Sequence, residues 1–451
     1  MAKARACVAL RARLRSGIVA MLATGLCASL ASAQDAVPAE SVEKPGVYGP
    51  EAPDLQAAAM VTPAGIPDDL ADIVAIALQS SPLLAASQAA SESAEADLRT
   101  AKWQRFPNLT AEILSTTGGS DIADTDGIAA NIALEQPVWA GGTISSAINE
   151  ARSNAEAADS RVGVTSQTLM LDVIQAYYDT ARFDGRMGVL MEGLADYAEL
   201  SAGIERRVAQ QVSPAVELEL ARSRVAQFEA DLAASEEQRD IAYLRLIELV
   251  GEGIAMPRAV PMSQSALIPP ESLAVEEMKA CSPTLEERSH RLAAAQAAQD
   301  NAEGQLFPRL LLQLSQNELT GARAALVLRA QTGNGLSKLS NIDRTEADVA
   351  QAMAEFAQAE RQTRTVLRRQ YASYRAGLRG AEVNAAAAEA SAALLASYQR
   401  QFVAGRRSWL DLSNAVSEVI GARLAALQNE NMAASSAALI LVLTCRWQPQ
   451  G

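Results

Sequence analysis

The chain has 451 residues, a formal net charge of −14 and only 4% aromatic residues. An acidic chain with no Lys/Arg-rich run beyond its first residues excludes a nucleic-acid partner. So few aromatics argue against an ordinary large globular core and suit Ala-rich helices, whose small side chains allow close approach.

The N-terminus reads as a signal peptide over residues 1–33. Lys3, Arg5, Arg11, Arg13 and Arg15 form a basic segment, Gly17 to Leu30 is apolar, and Ala31-Ser32-Ala33 places small residues before a cleavage at Gln34. The apolar run is short for an N-terminal membrane anchor. Leu26 stands before Cys27 where a lipoprotein signal needs a small residue. The signal carries five positive charges and no acids, so its removal takes the net charge from −14 to −19. Two cysteines then remain, Cys281 and Cys445, and the sequence leaves open whether they pair. Residues 34–67, rich in Pro, Ala and Glu, read as a flexible leader. The rest divides into two repeats, 68–260 and 261–447, with a short tail at 448–451.

Helix formers dominate from Asp68 onward. No proline lies between Pro137 and Pro214 or between Pro308 and Pro449. A continuous helix from Leu336 to Ala404 spans about 100 Å at 1.5 Å per residue, which implies a coiled coil or a helical tube. The last apolar stretch, Ala437 to Cys445, is too short to cross a membrane as a helix.

The chain repeats itself. Ser81-Pro82 precedes Phe106-Pro107, Ser282-Pro283 precedes Phe307-Pro308, and the proline spacing is 25 in both. Leu134, Gly141, Ser146 and Ile148 recur 194 residues later as Leu328, Gly335, Ser340 and Ile342. At the same offset Arg206, Glu217, Leu218 and Ala221 become Arg400, Asp411, Leu412 and Ala415.

Each repeat carries two stretches of period two, predicting strands near 108–117 and 127–137, then 309–317 and 323–331. Leu109, Ala111 and Ile113 alternate with Thr110 and Glu112; Ile128, Ala130, Ile132 and Leu134 alternate with residues including Asn131 and Glu135. Leu310, Leu312 and Leu314, then Ala324, Leu326 and Leu328, repeat the pattern. One apolar and one polar face describes a transmembrane barrel strand. Four strands close no pore, because small barrels need about eight. An open sheet in lipid leaves backbone groups unpaired, so the chain must oligomerise. Three copies give 12 strands. Glu135 and Arg329 occupy equivalent sites in the two repeats and are expected to face the lumen.

These features resemble the TolC family of outer-membrane efflux and secretion proteins, from about Asp68 to Trp447. The motifs are the Leu-rich start Leu70 to Pro82, the Phe106-Pro107 strand entry, Gln136-Pro137-Val138-Trp139-Ala140-Gly141-Gly142, and two hairpin tips near 210–214 and 404–409. The resemblance implies a mainly helical homotrimer with a 12-stranded transmembrane β-barrel and a long periplasmic α-helical barrel. It also implies a periplasmic adaptor (membrane fusion protein), an ABC transporter or other pump in the inner membrane, outer-membrane lipid and an exported cargo as partners. The second tip, Gln401 to Leu412, resembles the LapE and AggA types that serve type I secretion of large surface adhesins. Drug or metal efflux is the alternative.

Gly405 suits the left-handed end of a helix, Ser213 and Ser408 suit N-caps, and Pro214 suits a first turn. The resemblance makes Gln211, Val212, Ser213, Pro214, Gly405, Arg406, Arg407, Ser408 and Trp409 adaptor-docking tips. Asp411 matches a carboxylate that rings the periplasmic entrance, and Glu217 and Arg407 match contacts that hold it shut. Two positions depart from relatives: Asn414 stands for a second acid, and Phe402 for a latch tyrosine.

No enzymatic motif or cofactor site is present in the sequence: there is no phosphate loop, no nucleophile elbow, and a lone histidine, His290, in an Ala-rich stretch. A periplasmic adaptor or a structural coiled coil remains as a different class of protein. The first lacks its Gly/Val-rich β-domains here, and the second does not explain paired alternating strands.

Overall fold

The computed structural model describes residues 62–116, 127–257, 268–317, 321–331 and 335–448. The expected signal peptide, the leader before residue 62, the junction between repeats at 260 and 261 and the last three residues lie outside them. Twelve elements follow in order among the described residues: α1 (Asp68–Ser80), α2 (Pro82–Trp103), β1 (Asn108–Thr116), β2 (Gly127–Trp139), α3 (Thr143–Ala209), α4 (Ala215–Val250), α5 (Glu271–Cys281), α6 (Pro283–Gly304), β3 (Arg309–Asn317), β4 (Gly321–Arg329), α7 (Ser337–Val403) and α8 (Trp409–Leu443).

The duplication is carried element by element. Helices α3 and α7 both contain 67 residues, about 100 Å at 1.5 Å per residue. The bounds of α7 lie 194 residues after those of α3, whereas β3 lies 201 residues after β1. The difference of seven is the difference between the intervals 117–126 and 318–320 that separate the strand pairs.

Proline sets the first break in each repeat. Ser81 is extended (φ −69°, ψ 118°), as a residue before proline prefers, and its hydroxyl accepts from the Leu84 N–H at 3.5 Å. Pro82 then opens α2, where a missing N–H is harmless. Ser282-Pro283 repeats the break between α5 and α6 without a side-chain cap. Helices α1 and α2 meet at 46°, and no single described helix is long and apolar enough to cross a membrane.

The sheet runs β1-β2-β3-β4, antiparallel throughout. Three strand limits differ from expectation within the described residues, one of them the end of β4, which stops at Arg329 rather than 331. β2 continues past residue 137 to Trp139, through an irregularity at Pro137, which has no N–H to give the ladder. β4 begins at Gly321, two residues early, because Gly321 takes φ 71° and the chain can pair again at once.

Three apolar clusters hold the helices. Leu70, Val74, Val173, Ile174, Tyr177, Leu246, Val442 and Trp447 join α1, α3, α4 and the C-terminal end of α8. The Tyr177 hydroxyl donates to Asp69 at 2.8 Å, and burial followed by that bond pushes its pKa upward. Met278, Leu285, Leu367, Tyr371 and Ile440 join α5, α6, α7 and α8. A third cluster lies beside the hairpin tips. Helices α7 and α8 touch at backbone level: a Cβ on Gly377 would sit 2.8 Å from the Asn429 carbonyl.

Two long-range ties remained open or unseen in the sequence. Cys281 and Cys445 form a disulfide across 164 residues, which resolves their pairing and staples the end of α5 to the chain after α8. Glu287 on α6 is 1% exposed and meets Arg291 at 2.7 Å and Arg161 of α3 at 3.4 Å. A buried carboxylate is tolerated because those cations compensate its lost hydration.

Candidate functional site

The register sorts the strand residues onto two faces. Directly paired residues share a face, and so do alternate residues along each strand. One face carries Leu109, Ala111, Ile113, Ala130, Ile132, Leu134, Leu310, Leu312, Leu314, Ala322, Ala324, Leu326 and Leu328, together with the polar Gln136 and Gln316. It bears no charge and is open to solvent, most at its outer strands: Ile113 is 79% and Leu326 65% exposed, against 40% for the central Leu314. The other face carries Asn108, Thr110, Glu112, Asn131, Glu135, Gln313 and Ser315, with Arg309, Arg323 and Arg329. Leu311 and Val327 interrupt it.

Glu135 and Arg329 stand together on that polar face. Arg329 of β4 reaches across β3 to Glu135 Oε1 of β2 at 3.4 Å, and Gln313 donates to Oε2 at 3.2 Å. The sequence paired them by repeat equivalence; the register puts them in contact.

Aromatics gather where strands meet helices. Trp103 and Phe106 pack at 4.9 Å between ring centroids, and Trp139 meets Phe307 edge-on at 6.3 Å. All four are exposed. The irregularity at Pro137 pairs Trp139 with Leu310, turning the indole to the apolar face. Gln136, also on that face, spends its amide on the carbonyls of Arg105 and Pro137.

The two helical reversals are repeat images. Val212 N–H returns to the Arg207 carbonyl, and Arg406 N–H to the Gln401 carbonyl, both at 2.9 Å. Gly405 takes φ 71° as expected. Its counterpart 194 residues earlier is Gln211, a non-glycine residue at φ 57°, a conformation that costs roughly 1–2 kcal/mol. Arg207 Nε donates to Ser213 Oγ at 3.1 Å, and Arg407 Nε to Gln401 Oε1 at 3.2 Å. These are the same two positions of the repeat with donor and acceptor exchanged. Arg207 also lies 4.9 Å over Phe402, which pins the first tip to the second.

Ser408 caps α8 in a full capping box with Asp411. The Asp411 carboxylate accepts from the Ser408 hydroxyl at 2.8 Å and its N–H at 3.2 Å, and Arg407 lies 3.8 Å away. The Ser408 hydroxyl, its N–H and Arg407, in that order, hold Asp411 below the usual carboxylate range.

Several expected roles change. Ser213 is not an N-cap, and Pro214 is not in the first turn: Pro214 is itself the cap of α4, while the Ser213 hydroxyl is taken by Arg207. Trp409 cannot serve as a docking residue, because it is 1% exposed, packed 6.4 Å from Phe402. Its neighbours fit an exposed tip: Gln211, Val212, Pro214, Gly405, Arg406 and Ser408 all face solvent. Glu217 is half-buried and makes no ion pair with Arg407 among the described residues; Arg407 instead lies 4.3 Å over Tyr398. Asn414 is exposed. His290 sits between Glu156, at 3.2 Å, and Glu286, at 4.0 Å.

One buried link had no sequence signal. The Tyr197 hydroxyl of α3 donates to the Ser413 carbonyl at 2.6 Å and lies 2.8 Å from Ser417 Oγ, both on α8. Tyr197 lies 216 and 220 positions from its two partners, so no local pattern could reveal the link.

Paired hairpins of long helices and a two-faced, four-stranded sheet define a TolC-like outer-membrane channel fold. Residues 73–252 match the family model described as outer membrane efflux protein. The structure is similar to that of CusC, described for transmembrane channel formation, at 18% identity and a TM-score of 0.76, covering 87% of this chain and 99% of that one. A membrane protein from Pseudomonas aeruginosa gives 18% and 0.76 over 84% and 90%. The outer membrane protein VceC from Vibrio cholerae gives 18% and 0.74 over 83% and 96%. No match is found among curated proteins.

Proposed function

We propose that three copies of this chain form an outer-membrane channel, with the sheet in lipid and the helices in the periplasm. The exposed apolar face of the sheet carries the reading. An uncharged face flanked by exposed aromatics has no role in water and fits hydrocarbon between headgroup layers. The strand order leaves β1 and β4 each with a free edge. In a bilayer those edges must pair, and four strands from each of three copies close one barrel. Its lumen is then the face with Glu135 and Arg329. Such a channel does no chemistry and needs no cofactor.

The tips, carrying Asp411 and an exposed Val403 (83%), form the periplasmic entrance and the surface for an adaptor and its inner-membrane pump. The resemblance of Gln401 to Leu412 favours export of a large adhesin by type I secretion. The family model over 73–252, described as outer membrane efflux protein, favours drug or metal efflux as the second reading. Unheated gel electrophoresis of outer-membrane fractions should show a trimer. Cysteines at positions 135 and 329 should react with membrane-impermeant thiol reagents, while one at 134 should not. A monomer in mild detergent, or the reverse labelling, overturns the channel. Deletion of the gene should abolish surface display of an adhesin; unchanged display with raised drug or metal sensitivity selects efflux.

A further inference from the structure

The polar face of the sheet has a charge balance opposite to that of the chain. The whole sequence is at −14. On this face the described residues carry three arginines, Arg309, Arg323 and Arg329, against two glutamates, Glu112 and Glu135. The surplus is therefore one positive charge per chain.

Its arrangement matters more than its size. Arg309 and Arg329 are direct cross-strand partners on one face, a placement that repels by roughly 0.2–1 kcal/mol. A single carboxylate, Glu135, sits beside them, and among the described residues its ion pair is with Arg329. Arg309 has no carboxylate within ion-pair distance among the described residues, and neither does Arg323. Both are exposed. Arg323 lies six residues from Arg329 on the same strand, about 20 Å away at 3.3 Å per residue. Guanidinium groups thus stand near both ends of the β3–β4 pair, and two of them are adjacent forks suited to carboxylate, phosphate or sulfate.

We propose that Arg309, Arg323 and Arg329 make the barrel segment an anion-selective surface, so that the solute or the cargo group passing it is anionic. The proposal rests on the channel reading, which puts this face in the lumen. Three copies then line one pore with nine guanidinium groups and six carboxylates, inside low-dielectric walls that focus the field. The acidic tip ring and the basic barrel would act in series, each on ions of opposite sign.

The test is the reversal potential of the full-length protein in neutral-lipid planar bilayers under a potassium chloride gradient. Arg309→Gln/Arg323→Gln/Arg329→Gln should lower the chloride-to-potassium permeability ratio on the order of tenfold, and the corresponding Arg→Lys variant should retain the wild-type ratio. Arg309→Gln alone, which breaks no ion pair, serves if the triple variant does not assemble, and should shift the ratio in the same direction. A ratio unchanged in whichever Gln variant forms pores overturns the anion assignment and leaves the channel intact. Absence of any pore from wild type overturns the channel reading itself.

Discussion

Adjacent residues on β4 should respond oppositely to one substitution. Leu326 belongs to the uncovered apolar face and is paired with Leu312; Ala325 belongs to the polar face and is paired with Gln313. An arginine at 326 meets no charge on its own face, where the cross-strand partner is Leu312 and the flanking residues are Ala324 and Leu328; the amide of Gln136, beyond Leu312, is already spent on the carbonyls of Arg105 and Pro137. Near the bilayer midplane such a charge costs about 2–4 kcal/mol, hence about 6–12 kcal/mol over three copies. An arginine at 325 joins a face that already holds Gln313 and Arg323, and its head reaches water. Leu326→Arg should therefore abolish the heat-sensitive trimer band in outer-membrane fractions and slow insertion into liposomes. Ala325→Arg should assemble as wild type. If both variants assemble equally, or if only Ala325→Arg fails, the face that meets lipid has been chosen wrongly.

Trp409 is buried against Phe402 and the α3–α4 tip, so Trp409→Ala should destabilise the tip by about 3–5 kcal/mol. Limited proteolysis should then cut near residues 403–410 first, without loss of the barrel. Asp411→Ala should weaken block of bilayer currents by multivalent cations while leaving the trimer intact. Because the pKa of Asp411 is depressed, the charge and its capping contribution are present above the ordinary carboxylate pKa and are lost as pH falls through the lower folded value. Cation block in wild type should accordingly persist at pH 5 and disappear only in stronger acid; block that fades between pH 7 and 5 would rule out Asp411 as its source. Reduction of Cys281–Cys445, or Cys281→Ser/Cys445→Ser, should cost about 2–4 kcal/mol. The measurement is a lower Tm in detergent under reducing conditions, and an unchanged Tm would mean that α5 and the C-terminus are held by the apolar cluster alone.

The sequence by itself determined the features that depend on near neighbours along the chain. Alternation at every second residue predicted which side of each strand is apolar. A 194-residue offset paired α3 with α7, and Gly405 with Ser408 marked the second reversal. These were legible because helix and strand periods, caps and turns follow from a few residues' own conformational preferences. The positive φ of Gln211, at the position equivalent to Gly405, is concealed by its residue type and came only from the structure. Contacts between distant residues needed the tertiary structure. Whether Cys445 reaches Cys281 depends on how α5 packs against the end of α8. Whether Trp409 faces an adaptor or the core depends on Phe402 and the neighbouring tip. Glu287 is ordinary in a helix sequence beside Arg291, and the long-range partner that shares its burial, Arg161 of α3, shows only in the structure. Such choices are settled by which surfaces exclude water together, and a one-dimensional pattern does not record that.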